Sequence, residues 1–169
     1  MKVQIKKLTK VPTPSKAYDS DFCYDCVAVS EEEVAPNVWK YGLGLAFQIE
    51  RGLETLVTST AIHGGKENEY HTKIDFSRSP ITLDIDARPR SSVWKTGMVL
   101  SNCEGTIDEG YRGEVSAVFY HVMPNMPRYK VGDKVCQIKI GFSLPIEFEE
   151  VDELNNTVRG AKGYGSSGK

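Results

Sequence analysis

Leu43-Gly-Leu-Ala-Phe-Gln-Ile49 carries a large apolar side chain at every second position, with Gly44, Ala46 and Gln48 between them. A period of two is that of a β-strand with one face in a core. Ile81, Leu83 and Ile85 repeat it against Thr82, Asp84 and Asp86. Cys136, Ile138 and Ile140 do so against Val135, Gln137 and Lys139, and Ile146, Phe148 and Glu150 continue the pattern. No stretch sustains a helical period beyond two turns, although Ser91 to Gly97 has the length of one short helical turn. Many short strands separated by Gly, Pro and Asn predict an all-β sandwich or barrel.

The chain has 169 residues, enough for one domain with a real core, and 40% of them are hydrophobic. No apolar run reaches the length of a membrane span, so no membrane partner is expected. The Lys-rich first ten residues lead into no apolar stretch, so no signal peptide is expected and a cytoplasmic location is. A net charge of −2 argues against a general nucleic-acid-binding surface. A polyanionic ligand must then be met by local arginines and backbone donors. Cys23-Tyr-Asp-Cys26 has metal or redox spacing, but Cys103 and Cys136 stand alone and complete no zinc site. Reduced, mostly buried thiols are the expected state.

The most informative segment for function is Gly105-Thr-Ile-Asp-Glu-Gly-Tyr-Arg-Gly-Glu-Val115, with Asn102 just ahead of it. Its glycines read as a tight β-hairpin whose backbone a flat ligand can approach. Such a hairpin offers main-chain groups to a base edge, the Asp108 carboxylate to a water, and the Tyr111 ring to a sugar. Read alone, it is equally an ordinary surface hairpin, with Asp108 a turn acid bonding its own backbone and Tyr111 a core aromatic. Four further segments surround it in order: Asp21-Phe-Cys-Tyr-Asp-Cys-Val-Ala28, Pro89-Arg-Ser-Ser-Val93 with Lys95 and Gly97, Gly132-Asp-Lys-Val-Cys-Gln-Ile138, and Arg159-Gly-Ala-Lys-Gly-Tyr-Gly-Ser-Ser-Gly168.

Together these five segments resemble the ordered motifs of the homotrimeric dUTPases, and the lead-in Val151 to Val158 matches that family as well. The resemblance runs from about residue 11 to the end. It implies a jelly-roll-like β-barrel in residues 1–156, a glycine-rich, flexible arm in residues 157–169, and assembly as a trimer. It implies hydrolysis of dUTP to dUMP and pyrophosphate with Mg²⁺, with Asp108 as general base or orienting group for the attacking water. Uracil is then read by Asn102, Gly105, Thr106 and Ile107, and the deoxyribose lies against Tyr111. The phosphates fall to Arg90, Ser91, Ser92 and Gln137, and to Arg159, Ser166 and Ser167 of the arm. Tyr164, next to Gly165, stacks on uracil where the family usually has phenylalanine. Asp25 matches the acid of the first motif, which supports the metal's water shell or an arginine; Asp21-Phe-Cys replaces the small residues usual before it. The family builds each site from three chains, so a homotrimer with shared active sites is the expected partner state. Neither nucleic acid nor membrane is expected.

Between Arg51 and Arg78 the chain is polar, with Gly64, Gly65 and the charged run Lys66 to Glu69. The family spans this interval with fewer residues, so about 51–78 reads as an inserted long hairpin. Its His63 and His71 have no acid or thiol cluster to support metal binding. Gly163 to Lys169 spells a phosphate-loop pattern, but no Ser/Thr or helix follows it. The run also has the composition of a linker, against which stand Arg159 and Tyr164 within it. The nearest rival is a dCTP deaminase of the same fold. That enzyme needs a glutamate where Val118 stands and an arginine where Lys95 stands. A nucleotide-binding regulatory protein is the rival from another class. Arg88 beside Arg90 has no expected role.

Overall fold

The computed structural model describes residues 2–50, 54–63, 66–75 and 82–163, with backbone alone for 54–63 and 66–75. Ile81 of the alternating run lies outside the described residues. The chain is all-β. Its strands are β1 (Lys2–Lys7), β2 (Cys23–Val27), β3 (Ser30–Ala35), β4 (Val38–Gly42), β5 (Leu45–Glu50), β6 (Glu54–His63), β7 (Lys66–Asp75), β8 (Thr82–Pro89), β9 (Met98–Leu100), β10 (Gly105–Ile107), β11 (Ser116–His121) and β12 (Lys134–Ser143). Two four-stranded sheets form the jelly-roll-like body, in the orders β10-β8-β12-β2 and β3-β4-β11-β9. β1 pairs with β5, and β6 pairs antiparallel with β7 from Glu54 opposite Asp75 to His63 opposite Lys66. The polar excursion is therefore a long hairpin; the His63 and His71 side chains lie outside the described residues.

The alternation read from the sequence is what fills the core. Leu45, Phe47 and Ile49 of β5 and Leu83, Ile85 and Ala87 of β8 are buried, while Asp84, Asp86 and Arg88 lie on the opposite face of β8. Burial of such side chains supplies about 1.5–3 kcal/mol each. Tyr41, Phe119 and Tyr129 meet edge to face, with centroids 6.0, 6.1 and 5.5 Å apart. The Tyr41 hydroxyl donates to the Tyr129 carbonyl at 2.9 Å, which satisfies the polar end of a fully buried ring. The short helical turn appears as a 3-10 turn over Val93–Thr96, closed by Gly97 at φ 61°.

Three expectations are corrected. Val135 does not point away from Cys136: both are fully buried, because a β-bulge between Lys134 and Cys136 adds a residue to β12. No strand forms over Ile146 to Glu150, where Ile146 and Phe148 are 78% and 91% exposed. Pro145 interrupts the donor row after β12, and no sheet edge among the described residues receives the segment. Finally, Gly105 to Val115 is not a β-hairpin. β10 pairs back with β8, whereas β11 pairs with β4 and β9 in the other sheet, so this stretch is a loop crossing between sheets. Ala117 and Phe119 of β11 are buried in that second sheet, which draws the returning chain away from β10. The thiols are free, with Cys26 and Cys136 buried opposite each other, Cys23 half-buried and Cys103 exposed.

Candidate active site

β10 is a three-residue edge strand, held by Gly105 opposite Ala87, Thr106 opposite Asp86 and Ile107 opposite Ile85. Beyond it the chain turns, with the Tyr111 N–H donating to the Asp108 carbonyl at 2.9 Å. The Tyr111 hydroxyl donates to the Glu114 carbonyl at 2.9 Å and folds the ring over Gly113. A Cβ at Gly113 would lie 2.4 Å from that hydroxyl, so any larger residue there would displace the Tyr111 ring. At Gly105 a Cβ would approach the Asn102 amide to 3.0 Å, whereas Gly110 faces open space and is not sterically required. Asn102, Gly105, Thr106, Ile107, Asp108 and Tyr111 are thereby brought together around a cavity of about 310 Å³. Asp108 is exposed, and its carboxylate accepts no hydrogen bond among the described residues. It is thus free to hold a water, which a turn acid bonded to its own backbone would not be.

A second cavity, of about 550 Å³, gathers Asp25, Arg90, Ser91 and Gln137 with Ser20, Asp21 and Phe22. Asp25 Oδ1 accepts from Arg90 Nε at 2.8 Å, and Oδ2 accepts from Arg90 Nη2 at 3.3 Å and from Lys134 Nζ at 2.9 Å. Burial alone would raise the Asp25 pKa, but Lys134 and Arg90 outweigh it and hold the carboxyl below its usual range. The guanidinium is therefore fixed by its counter-ion, as anion recognition by a planar fork requires. Gln137 donates from Nε2 to the Pro89 carbonyl at 3.0 Å. Ser92 precedes the 3-10 turn, its carbonyl accepting from the Lys95 N–H at 3.0 Å. Lys134 escaped the sequence reading, since ordinary alternation gives no reason to place it beside Asp25.

The two cavities share no lining residue. In the sheet order they lie on opposite sides of β8, with β10 on one side and β12 and β2 on the other. Arg159 lines neither cavity; it donates from Nε to the Lys162 carbonyl at 3.3 Å within the tail. Tyr164, Gly165, Ser166 and Ser167 lie outside the described residues. Val118, where a deaminase needs its glutamate, lines the loop cavity and supplies no carboxylate.

A family model described as dUTPase matches residues 55–168. The deoxyuridine 5'-triphosphate nucleotidohydrolase of Corynebacterium glutamicum is 30% identical over 171 aligned residues, covering 99% of this chain and 95% of its own length. That of Nautilia profundicola is 30% identical over 172 residues, covering 100% of both. Among solved structures, a mutant dUTPase of Staphylococcus bacteriophage 80alpha with dUpNHpp superposes with a TM-score of 0.71 at 20% identity, covering 99% of each chain. The dUTPase of phage phi11 of S. aureus, described with a species-specific insert, gives 0.62 at 17% identity, covering 93% of this chain and 100% of its own. At these identities the superpositions speak for the fold.

Proposed function

The chain belongs to the dUTPase family, and on that premise we propose that it hydrolyses dUTP to dUMP and pyrophosphate with Asp108 directing the attacking water. The observation that carries the mechanism is the open Asp108 carboxylate, one residue beyond the β10 backbone that lines the same cavity. The water oxygen bonds to the α-phosphorus as the bond to the β-bridging oxygen breaks. Asp108 takes the water's proton, and pyrophosphate leaves with the bond's electron pair. Main-chain groups of Gly105, Thr106 and Ile107, with Asn102, pair with uracil. Cytosine reverses the donor and acceptor pattern at two positions and leaves groups unpaired, at about 1–3 kcal/mol each. Close backbone approach excludes thymine's methyl group, and the Tyr111 ring excludes a 2′-hydroxyl.

Arg90, Ser91 and Gln137 hold the phosphates from the second cavity, joined by Ser92, which lies outside its lining at the start of the 3-10 turn. Arg159, Tyr164, Gly165, Ser166 and Ser167 close over the nucleotide as an arm, residues 157–169, attached to a barrel of residues 1–156 with its insertion at about 51–78. The separation of the two cavities on one chain supports a homotrimer in which neighbouring chains complete each site. Dues of this activity are dUMP for thymidylate synthesis and uracil kept out of DNA, in the cytoplasm. Among the described residues no helix is long and apolar enough to cross a membrane.

Dependence on Mg²⁺ is general in the family. No three His, Cys, Asp or Glu side chains among the described residues cluster as ligands, and both Asp25 oxygens already accept from Arg90 and Lys134. This donor set fits an ion held mainly by triphosphate oxygens and water, with Asp25 touching only that water shell. When bound, the ion neutralises triphosphate charge and makes pyrophosphate a better leaving group. The deciding experiment incubates the protein and Mg²⁺ with dUTP, dCTP, dTTP and UTP in parallel. Pyrophosphate release from dUTP alone is expected; ammonia from dCTP would make the chain a deaminase, and no turnover of any of them would favour a regulatory nucleotide binder.

A further inference from the structure

β10 pairs with β8 over only three residues, and side chains on the outer face of β8 add to that pairing. Gly105 opposite Ala87 and Thr106 opposite Asp86 put Glu104 and Thr106 on the same face as Arg88 and Asp86. The Thr106 hydroxyl donates to Asp86 Oδ1 at 2.9 Å. Arg88 Nη2 pairs with Glu104 Oε1, and lies 3.5 Å from Asp86 Oδ2. On its other side Arg88 stands opposite Gln137 of β12, which in turn stands opposite Asp25 of β2. One polar rung thus runs from the base-reading strand through Arg88 to the phosphate-side cavity.

We propose that Arg88, with Asp86 and Glu104, is a positioning residue: the ladder it forms fixes β10, and so sets where the base-reading amides and Asp108 stand. The inference rests on the dUTP reading for its kinetic consequence, though not for its structural one. None of the three lines either cavity; each acts through Thr106 or the backbone of residues 104 to 107. The sequence signal was the polar phase of β8, in which Asp84, Asp86 and Arg88 occupy the face opposite Leu83, Ile85 and Ala87. In a strand read only for its apolar phase, those side chains look like solvated surface.

The test measures kcat, KM and the dUTP-over-dCTP preference of Arg88→Ala, Arg88→Lys, Thr106→Val and the charge-exchanged Arg88→Glu/Glu104→Arg pair, beside amide hydrogen exchange at residues 105 to 107. Arg88→Ala should raise KM for dUTP by up to about fivefold, the scale of a half-exposed ion pair, with a smaller fall in kcat. Thr106→Val should cost about tenfold in kcat/KM, as loss of a bond to a charged acceptor does. The charge-exchanged pair should recover part of the Arg88→Ala loss, and Arg88→Lys most of it. Exchange at residues 105 to 107 should quicken in Arg88→Ala and Thr106→Val while Tm hardly moves. Wild-type KM, selectivity and exchange in both of those variants would overturn the inference. A wild type inert toward dUTP would fell the functional reading instead, and the exchange rates would still decide this one.

Discussion

The loop cavity and the Arg90 cavity are built on opposite logic. Around Asp108, on the proposed reading, the recognising groups are main-chain amides on a three-residue strand; Glu114 also lines this cavity and accepts from the Gly44 N–H, whereas Asp108 has no partner among the described residues. Around Arg90, on the same reading, the recognising groups are side chains; Arg90 and Lys134 answer Asp25 at 2.8 and 2.9 Å, while Asp21 accepts from the Tyr18 N–H. A backbone reader gains selectivity from rigidity, because its donors and acceptors cannot rotate to suit a wrong base. A charged cradle gains from a counter-ion that keeps the guanidinium from collapsing or wandering when phosphate is absent. On that reading the difference teaches that the water-directing acid is left without a partner, while the phosphate-holding guanidinium is held by a carboxylate.

That contrast breaks most visibly at Asp108. Asp108→Asn should lower kcat by about 10²- to 10⁴-fold while a non-hydrolysable dUTP analogue still binds, as titration calorimetry would show. Near-normal turnover would put the acid outside the mechanism. At the other cavity, Asp25→Asn should raise KM and destabilise the fold by about 1–3 kcal/mol, measured by denaturant unfolding, since two cations lose their counter-charge and one of two acceptor oxygens. The same pair predicts a pH effect of known sign. The folded-state pKa of Asp25 is depressed, so its contribution to stability is complete above the ordinary carboxylate range and is lost as pH falls below it. Wild type should therefore lose more stability than Asp25→Asn on acidification; parallel curves would refute the linkage. The smallest effect is expected at Tyr111→Phe, which removes the bond to the Glu114 carbonyl and keeps the ring. It should cost about 1 kcal/mol of stability and leave the preference for dUTP over UTP intact. A collapse of that preference would mean the hydroxyl, not the ring face, senses the sugar.

Much of this is legible in the sequence. The period-two runs mark β5, β8 and β12, and the residues singled out around Asp108 do line one cavity. Pairing was not legible. The glycines of 105 to 113 suggest a hairpin because local turn chemistry cannot tell which sheet the next strand will join; the burial of Ala117 and Phe119 decides that at long range. Ile146 and Phe148 alternate as a strand would, but alternation is only half of a strand, and among the described residues no strand pairs with this segment. Lys134 and Arg88 were passed over for a related reason: a charged residue acquires a role only when its cross-strand neighbour is known.

The extra residue in β12 reaches further than the packing of Val135 and Cys136. Lys134 stands opposite Val27 and Gln137 opposite Asp25, and Val27 and Asp25 are two apart on β2. Two side chains separated by an odd count along the chain consequently emerge on one side of the sheet. Shifted parity in a single strand is what lets an ammonium and an amide flank the same carboxylate, so Asp25 owes its second cation to an irregularity and not to the repeat that built the barrel.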